Sequence, residues 1–251
     1  MMIRLLLMAW ITASSATTTE EAVEDRKHSL WFDMAEWYIN NQMPEQALDM
    51  VRRLRESGEQ TSDLDLIQAR ALVAQGTPDE ARRILEEMMK RSPRDARAWQ
   101  TMGVIQADGG ELDKAVATLR QAVTLDPDHA PSHNNLGFLL YGMRRCDEAV
   151  DELEAATTAD PTVPRYRNNL AFALVCAGDP QRALKLFRSM GAEADARYNM
   201  GVAYENLDKV PSAILQYREA VDADPDHAKA KAALAALDTP GAAEPPAGAT
   251  P

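Results

Sequence analysis

The chain has 251 residues and carries 39 acidic against 27 basic side chains, a formal net charge of −12. That balance excludes a general nucleic-acid binder, which needs a basic stripe to displace counterions from phosphate, and it disfavours docking on anionic lipid through charge. Two cysteines are too few for a disulfide-built scaffold or a four-cysteine zinc site, while 45% apolar but only 6% aromatic residues describe a core of small and aliphatic side chains.

In chain order, residues 1–16 come first: Arg4, an apolar run from Leu5 to Ala13, then Ser14-Ser15-Ala16. A basic start, a short apolar stretch and small residues at a cleavage point predict a secretory signal peptide. The run is shorter than the roughly 20 apolar residues of a membrane-spanning helix. A bacterial lipoprotein signal would put a cysteine just after the small residues, and Ser14 or Ser15 stands there instead. The expectation is therefore an exported chain, with residues 17–27 as a flexible leader.

From residue 28 the sequence repeats. Ala47, Ala81, Ala115, Ala149 and Ala183 are 34 residues apart, and Ala213 follows after 30. Pro93, Pro127 and Pro161 keep the same step, and Pro225 closes the series. Four residues after each alanine stands a large apolar side chain: Val51, Leu85, Leu119, Leu153, Phe187 and Tyr217. Spacings of three and four predict two amphipathic helices per unit. Small residues such as Gly103 and Ala115 let them cross closely, and Pro127 ends the second helix because it has no N–H to donate.

This pattern resembles the tetratricopeptide repeat over about residues 28–227, best in the unit from Ala96 to His129 with Trp99, Met102, Gly103, Gly110, Leu112, Ala115, Leu119, Ala122 and Pro127. The resemblance implies an all-α, right-handed superhelical solenoid of six helix pairs, at about 28–61, 62–95, 96–129, 130–163, 164–193 and 194–227. The second unit is the weakest, with Asp65 and Gln68 where large apolar residues are usual. The fifth is four residues short, which predicts a tighter turn at Gly191-Ala192-Glu193. Residues 228–238 are expected to form a capping helix and 239–251 a disordered Pro/Ala/Gly-rich tail.

No HExxH, phosphate-cradling glycine loop or GxSxG occurs, so the sequence points to no catalytic residue, metal site or cofactor. His28, His129, His133 and His227 fall at framework or turn positions and read as structural. In the resembled family offsets 5, 9 and 12 of each unit face the concave groove. Carried over, these are Asn134, Phe138 and Tyr141, then Asn168, Phe172 and Val175, then Tyr198, Val202 and Glu205. They describe an aromatic, amide-lined channel for an extended or helical peptide, although Phe138 and Phe172 packing between repeats is the competing reading. Lysines and arginines that clamp acidic chaperone tails in some relatives are missing, since offset 5 carries Gln100, Asn134, Asn168 and Tyr198.

In the first unit Trp31 and Tyr38 hold framework positions expected in the core. Phe32 is expected to face the groove and Trp37 to lie at the unsupported edge, where aromatics make interface anchors. Cys146, opening the second helix of unit four, and Cys176, closing the first helix of unit five, are expected at the same end of adjacent layers, so an oxidising compartment would favour a disulfide. Export, six such units, the pairs Asn134-Asn135 and Asn168-Asn169 and these cysteines together resemble the pilotins of type IV pilus biogenesis. That resemblance implies a protein partner, a secretin or pilus-assembly subunit, in the periplasm or at the periplasmic face of the outer membrane, with any membrane association through the partner or a lipid anchor this sequence lacks. The run Asn134 to Phe138 is also similar to repeat proteins of tight-adherence pilus systems. A cytosolic peptide-binding adaptor or co-chaperone is the alternative if the N-terminal segment is retained.

Overall fold

The computed structural model describes residues 30–237, so the expected signal peptide, leader and tail, and His28, lie outside the described residues. Among the described residues every regular element is a helix. The first helix, α1, runs over 30–40. It is followed by α2 (Pro44–Glu56), α3 (Ser62–Gln75), α4 (Pro78–Arg91), α5 (Ala96–Asp108), α6 (Leu112–Leu125), α7 (Ala130–Gly142), α8 (Cys146–Ala159), α9 (Pro164–Cys176), α10 (Pro180–Arg188), α11 (Glu193–Glu205), α12 (Val210–Ala223) and α13 (Ala228–Leu237).

The boundaries follow from the repeated side chains. Pro44, Pro78, Pro164 and Pro180 open their helices, where the missing N–H costs nothing. The pairs Asp126-Pro127, Asp160-Pro161 and Asp224-Pro225 each close one, because the residue before proline is driven out of the helical region. Asp126, Asp160 and Asp224 are all extended, with φ near −140°. Their carboxylates then accept from the backbone N–H two residues on, at Asp128, Thr162 and Asp226. The recurring Asp-Pro-Asp-His tetrapeptide is thus a turn, and its histidine serves the next helix: His129 Nδ1 lies 2.7 Å from Ser132 Oγ, and His227 Nδ1 accepts from the Ala230 N–H.

The chain divides into two compact units, the first ending at Ile105 and the second starting at Gln106, within α5. In the first, Ala35, Met50, Val51, Leu64 and Ile67 join α1, α2 and α3, and Leu66, Leu72, Leu85, Met88, Ala98 and Met102 join α3, α4 and α5. Asp65, unusual for its repeat position, is placed between two cations: Arg55 at 2.6 Å and Arg91. It ties α2 and α4 to α3 by charge where its apolar counterparts pack.

In the second unit one apolar cluster runs continuously from Val116 and Leu119 of α6 to Met200 and Ala203 of α11. The small residues sit at the crossings. A Cβ on Gly137 of α7 would fall 2.6 Å from Leu153 Cγ and 3.1 Å from the Ala149 carbonyl of α8, and one on Gly201 would collide with the Tyr217 ring. The shortened fifth unit loses its residues from α10, which has 9 residues where α8 has 14. Arg188 and Arg197 both hydrogen-bond Glu193 at the start of α11. They hold its carboxyl at about 2, Arg188 contributing most.

Candidate functional site

A hollow of about 200 Å³ opens in the second unit. Its walls are Phe138 and Tyr141 from α7, Leu153 from α8, Asn168, Asn169 and Phe172 from α9, and Asn206 just beyond α11. Drug-sized ligands occupy roughly 300 Å³ or more, so this space suits a single side chain. Phe138 is 58% exposed at its mouth. Behind it, Phe172 meets Tyr141 edge-on at 6.4 Å and Phe187 at 5.6 Å. Phe172 therefore answers to both readings of the sequence, since it packs between helices and lines the hollow. The Tyr141 hydroxyl is buried without a hydrogen-bond partner.

Of the nine residues expected in the channel, Phe138, Tyr141, Asn168 and Phe172 come together here, and the other five do not. Asn134 is buried, and its Oδ1 accepts from Asn169 Nδ2 at 2.8 Å. It ties α7 to α9 and positions Asn169 at the hollow instead of meeting a ligand. Val175 is buried in the cluster that includes Ala203 of α11, because α11 packs against α9 along that side. Tyr198 is stacked between Tyr217 at 5.7 Å and His227 at 5.4 Å. Val202 is half-buried and lines no part of the hollow, and the neighbouring Glu205 accepts a 2.5 Å hydrogen bond from the Tyr217 hydroxyl. Burial, and then that carboxylate, push the Tyr217 phenol upward.

In the first unit the expectations change places. Phe32 packs on the Ala35–Met50–Ile67 cluster, so it is a core residue and not a groove residue. Trp31, expected in the core, instead lines an open hollow of about 440 Å³ with Met34, Tyr38, Met50 and Arg53. Trp37 is 56% exposed and stands edge-on to Tyr38 at 5.5 Å.

Cys146 and Cys176 form a disulfide with their Cα atoms 5.5 Å apart, joining the start of α8 to the end of α9. His133 is buried, with Nδ1 2.7 Å from Glu152 and Nε2 2.9 Å from the Pro127 carbonyl. Two acceptors call for a proton on each nitrogen, and the bond to Glu152 in particular raises its pKa. Among the described residues no group of three His, Cys, Asp or Glu is placed to hold a metal ion, and no helix is long and apolar enough to cross a membrane.

Family models for the tetratricopeptide repeat match residues 66–130, 106–171 and 194–227, and one for the PPR repeat matches 168–193. No curated protein matches the chain. Among solved structures it is similar to PilF of Pseudomonas aeruginosa, with a TM-score of 0.59 and 17% identity over 84% of this chain and 98% of that one. It is also similar to YrrB, described as a TPR protein with an unusual peptide-binding site, with a TM-score of 0.55 and 20% identity over 72% of this chain and 95% of that one. A third is a chain of the APC/C hetero-tetramer Cut9–Hcn1, with a TM-score of 0.59 and 18% identity over 81% and 41%. At these identities the likeness is one of fold.

Proposed function

Because the chain is a tetratricopeptide-repeat protein, a scaffold for protein–protein contacts, we propose that it has no catalytic role and binds a partner segment at the Phe138–Phe172 hollow. The observation that carries this reading is a half-exposed phenylalanine over an aromatic-floored space whose wall includes Asn168, Asn169 and Asn206. An apolar side chain would fill the space, and the amides offer donors and acceptors to a peptide backbone. Exposed apolar surface of this kind marks interaction sites.

The partner in this reading is a secretin or pilus-assembly subunit, met in the periplasm or at the periplasmic face of the outer membrane. The N-terminal pattern supports export, and a disulfide between Cys146 and Cys176 supports an oxidising compartment. A photo-crosslinking amino acid at position 138, used in cells, tests it. An adduct with a secretin or pilus subunit is expected. A partner of another kind overturns the pilus assignment, and crosslinking from position 37 but not 138 moves the site to the first unit. Phe138 is the better probe than Phe172, whose loss would also unpack Phe187.

A further inference from the structure

Each helix pair turns through one residue with positive φ. These are Gln42, Gly76, Gly110, Arg144, Gly178 and Asp208, with φ of 59°, 85°, 77°, 60°, 86° and 58°. Glycine is the residue that takes this conformation without strain, and half the pairs use it. Two of the three exceptions meet each other. Arg144, in the turn between α7 and α8, extends its guanidinium so that Nη2 donates to the Asn206 carbonyl at 2.5 Å and lies 3.7 Å from the Asp208 carboxylate. The contact spans 62 residues and passes over the whole of the fifth helix pair.

Its placement links it to the hollow at both ends. The Arg144 N–H donates to the carbonyl of Tyr141, and Asn206 itself forms part of the wall. Asn206 is the C-cap of α11, where a helix presents unsatisfied carbonyls and a partial negative charge that a cation stabilises. Behind Arg144, its own carbonyl lies 3.4 Å from Cys146 Sγ, so the disulfide to Cys176 anchors the strand from which the side chain reaches out. A left-handed residue that is not glycine, carrying a charged side chain to a distant helix end, is the arrangement expected when strain is kept for a positioning role.

We propose that Arg144 is the positioning residue of the hollow: it latches the α7–α8 turn to the end of α11 and so holds Asn206 in the wall that it shares with Phe138 and Phe172. This rests on the partner-binding reading of the same hollow, and the two are separable by experiment. Arg144→Gly removes the latch and at the same time installs the residue the turn favours, so the fold is spared. The amides of Leu207, Asp208 and Lys209 bond back to Tyr204 and Glu205. In the variant their hydrogen exchange should quicken by about tenfold or more, while that of Arg145, bonded to Leu140 within the α7–α8 turn, should not. A merely local role for Arg144 would give the opposite pattern.

The second readout uses N-acetyl-L-phenylalaninamide, a neutral aromatic probe with two peptide groups, followed by NMR at the Asn side-chain amides. Wild type should respond at Asn168, Asn169 and Asn206, and Arg144→Gly should keep the first two responses and lose the third. Unchanged exchange at residues 207–209 with a retained Asn206 response overturns the latch. If wild type gives no response to the probe, the partner-binding reading fails, and the exchange contrast alone decides the latch.

Discussion

Gly137 and Gly142 lie on the same helix, and alanine at the two positions should change stability in opposite directions. At Gly137 the new methyl would fall 2.6 Å and 3.2 Å from two carbons of Leu153 and 3.1 Å from the backbone oxygen of Ala149. Leu153 is fully buried, and the Ala149 carbonyl belongs to α8, so neither can yield without moving a packed helix. Overpacking of this kind costs about 1–3 kcal/mol. Alanine regains about 1 kcal/mol over glycine in a helix interior. The net expectation is a loss of up to about 2 kcal/mol, or a melting temperature lowered by up to about 8 °C in a chain of this size. At Gly142 nothing lies within 4 Å and φ is not positive, so only the propensity gain acts, and up to about 1 kcal/mol of stabilisation is expected. Urea unfolding followed by circular dichroism measures both, with an unchanged m-value required for comparison. Gly137→Ala matching Gly142→Ala in sign would show that α7 and α8 do not cross at Gly137.

Reduction of Cys146–Cys176, or its replacement by two serines, opens a loop of 30-residue separation. The chain-entropy relation puts the loss at about 3.5 kcal/mol, and unfolding free energies from urea with and without reductant that agree within about 1 kcal/mol would mean that helix packing alone fixes these ends. His133 has a folded pKa raised above the ordinary 6.5. The stability it contributes is therefore fully present below pH 6.5 and is lost as pH rises through the raised value. The advantage of wild type over His133→Gln should shrink as pH rises above 6.5, and an advantage that grew with pH would show that the imidazole is held neutral. Asp65→Ala leaves Arg55 and Arg91 without their shared carboxylate. With these arginines partly exposed, a loss of no more than about 1–2 kcal/mol is expected in thermal melts, and none would show that the pairing is solvent-screened.

The repeat ladder made the helices legible because it is written in residues whose roles are local. Alanine at the crossings, proline after Asp126 and Asp160, and apolar residues four apart each act through their own backbone or the next helix. Site residues were legible only where an offset fixed exposure. Phe138 and Phe172 at offset 9 line the hollow, whereas Asn134 at offset 5 and Val175 at offset 12 are buried, because neighbouring first helices close over the deeper part of the channel. Asn206 and Arg144 were missed for another reason: they lie in turns, outside any apolar period. Their signal was present as the 34-residue series of glycines at 76, 110 and 178, which an arginine interrupts at 144.

The short α10 accounts for the reach of that arginine. The segments before α9 and before α11 are equally long, at 160–163 and 189–192, and both helices have 13 residues. Helix α10, however, has five residues fewer than α8. At 1.5 Å per residue, α11 therefore starts about 7 Å closer to the end of the layer that holds the turns at Arg144 and Gly178. With its length unchanged, its own end is expected about that much farther on. That shift accords with the contact of Arg144, two pairs earlier, with the Asn206 carbonyl and the Asp208 carboxylate. The shortening of the fifth pair thus accords with Asn206 reaching the wall of the hollow, while the disulfide ties that pair to the fourth and the latch spans it.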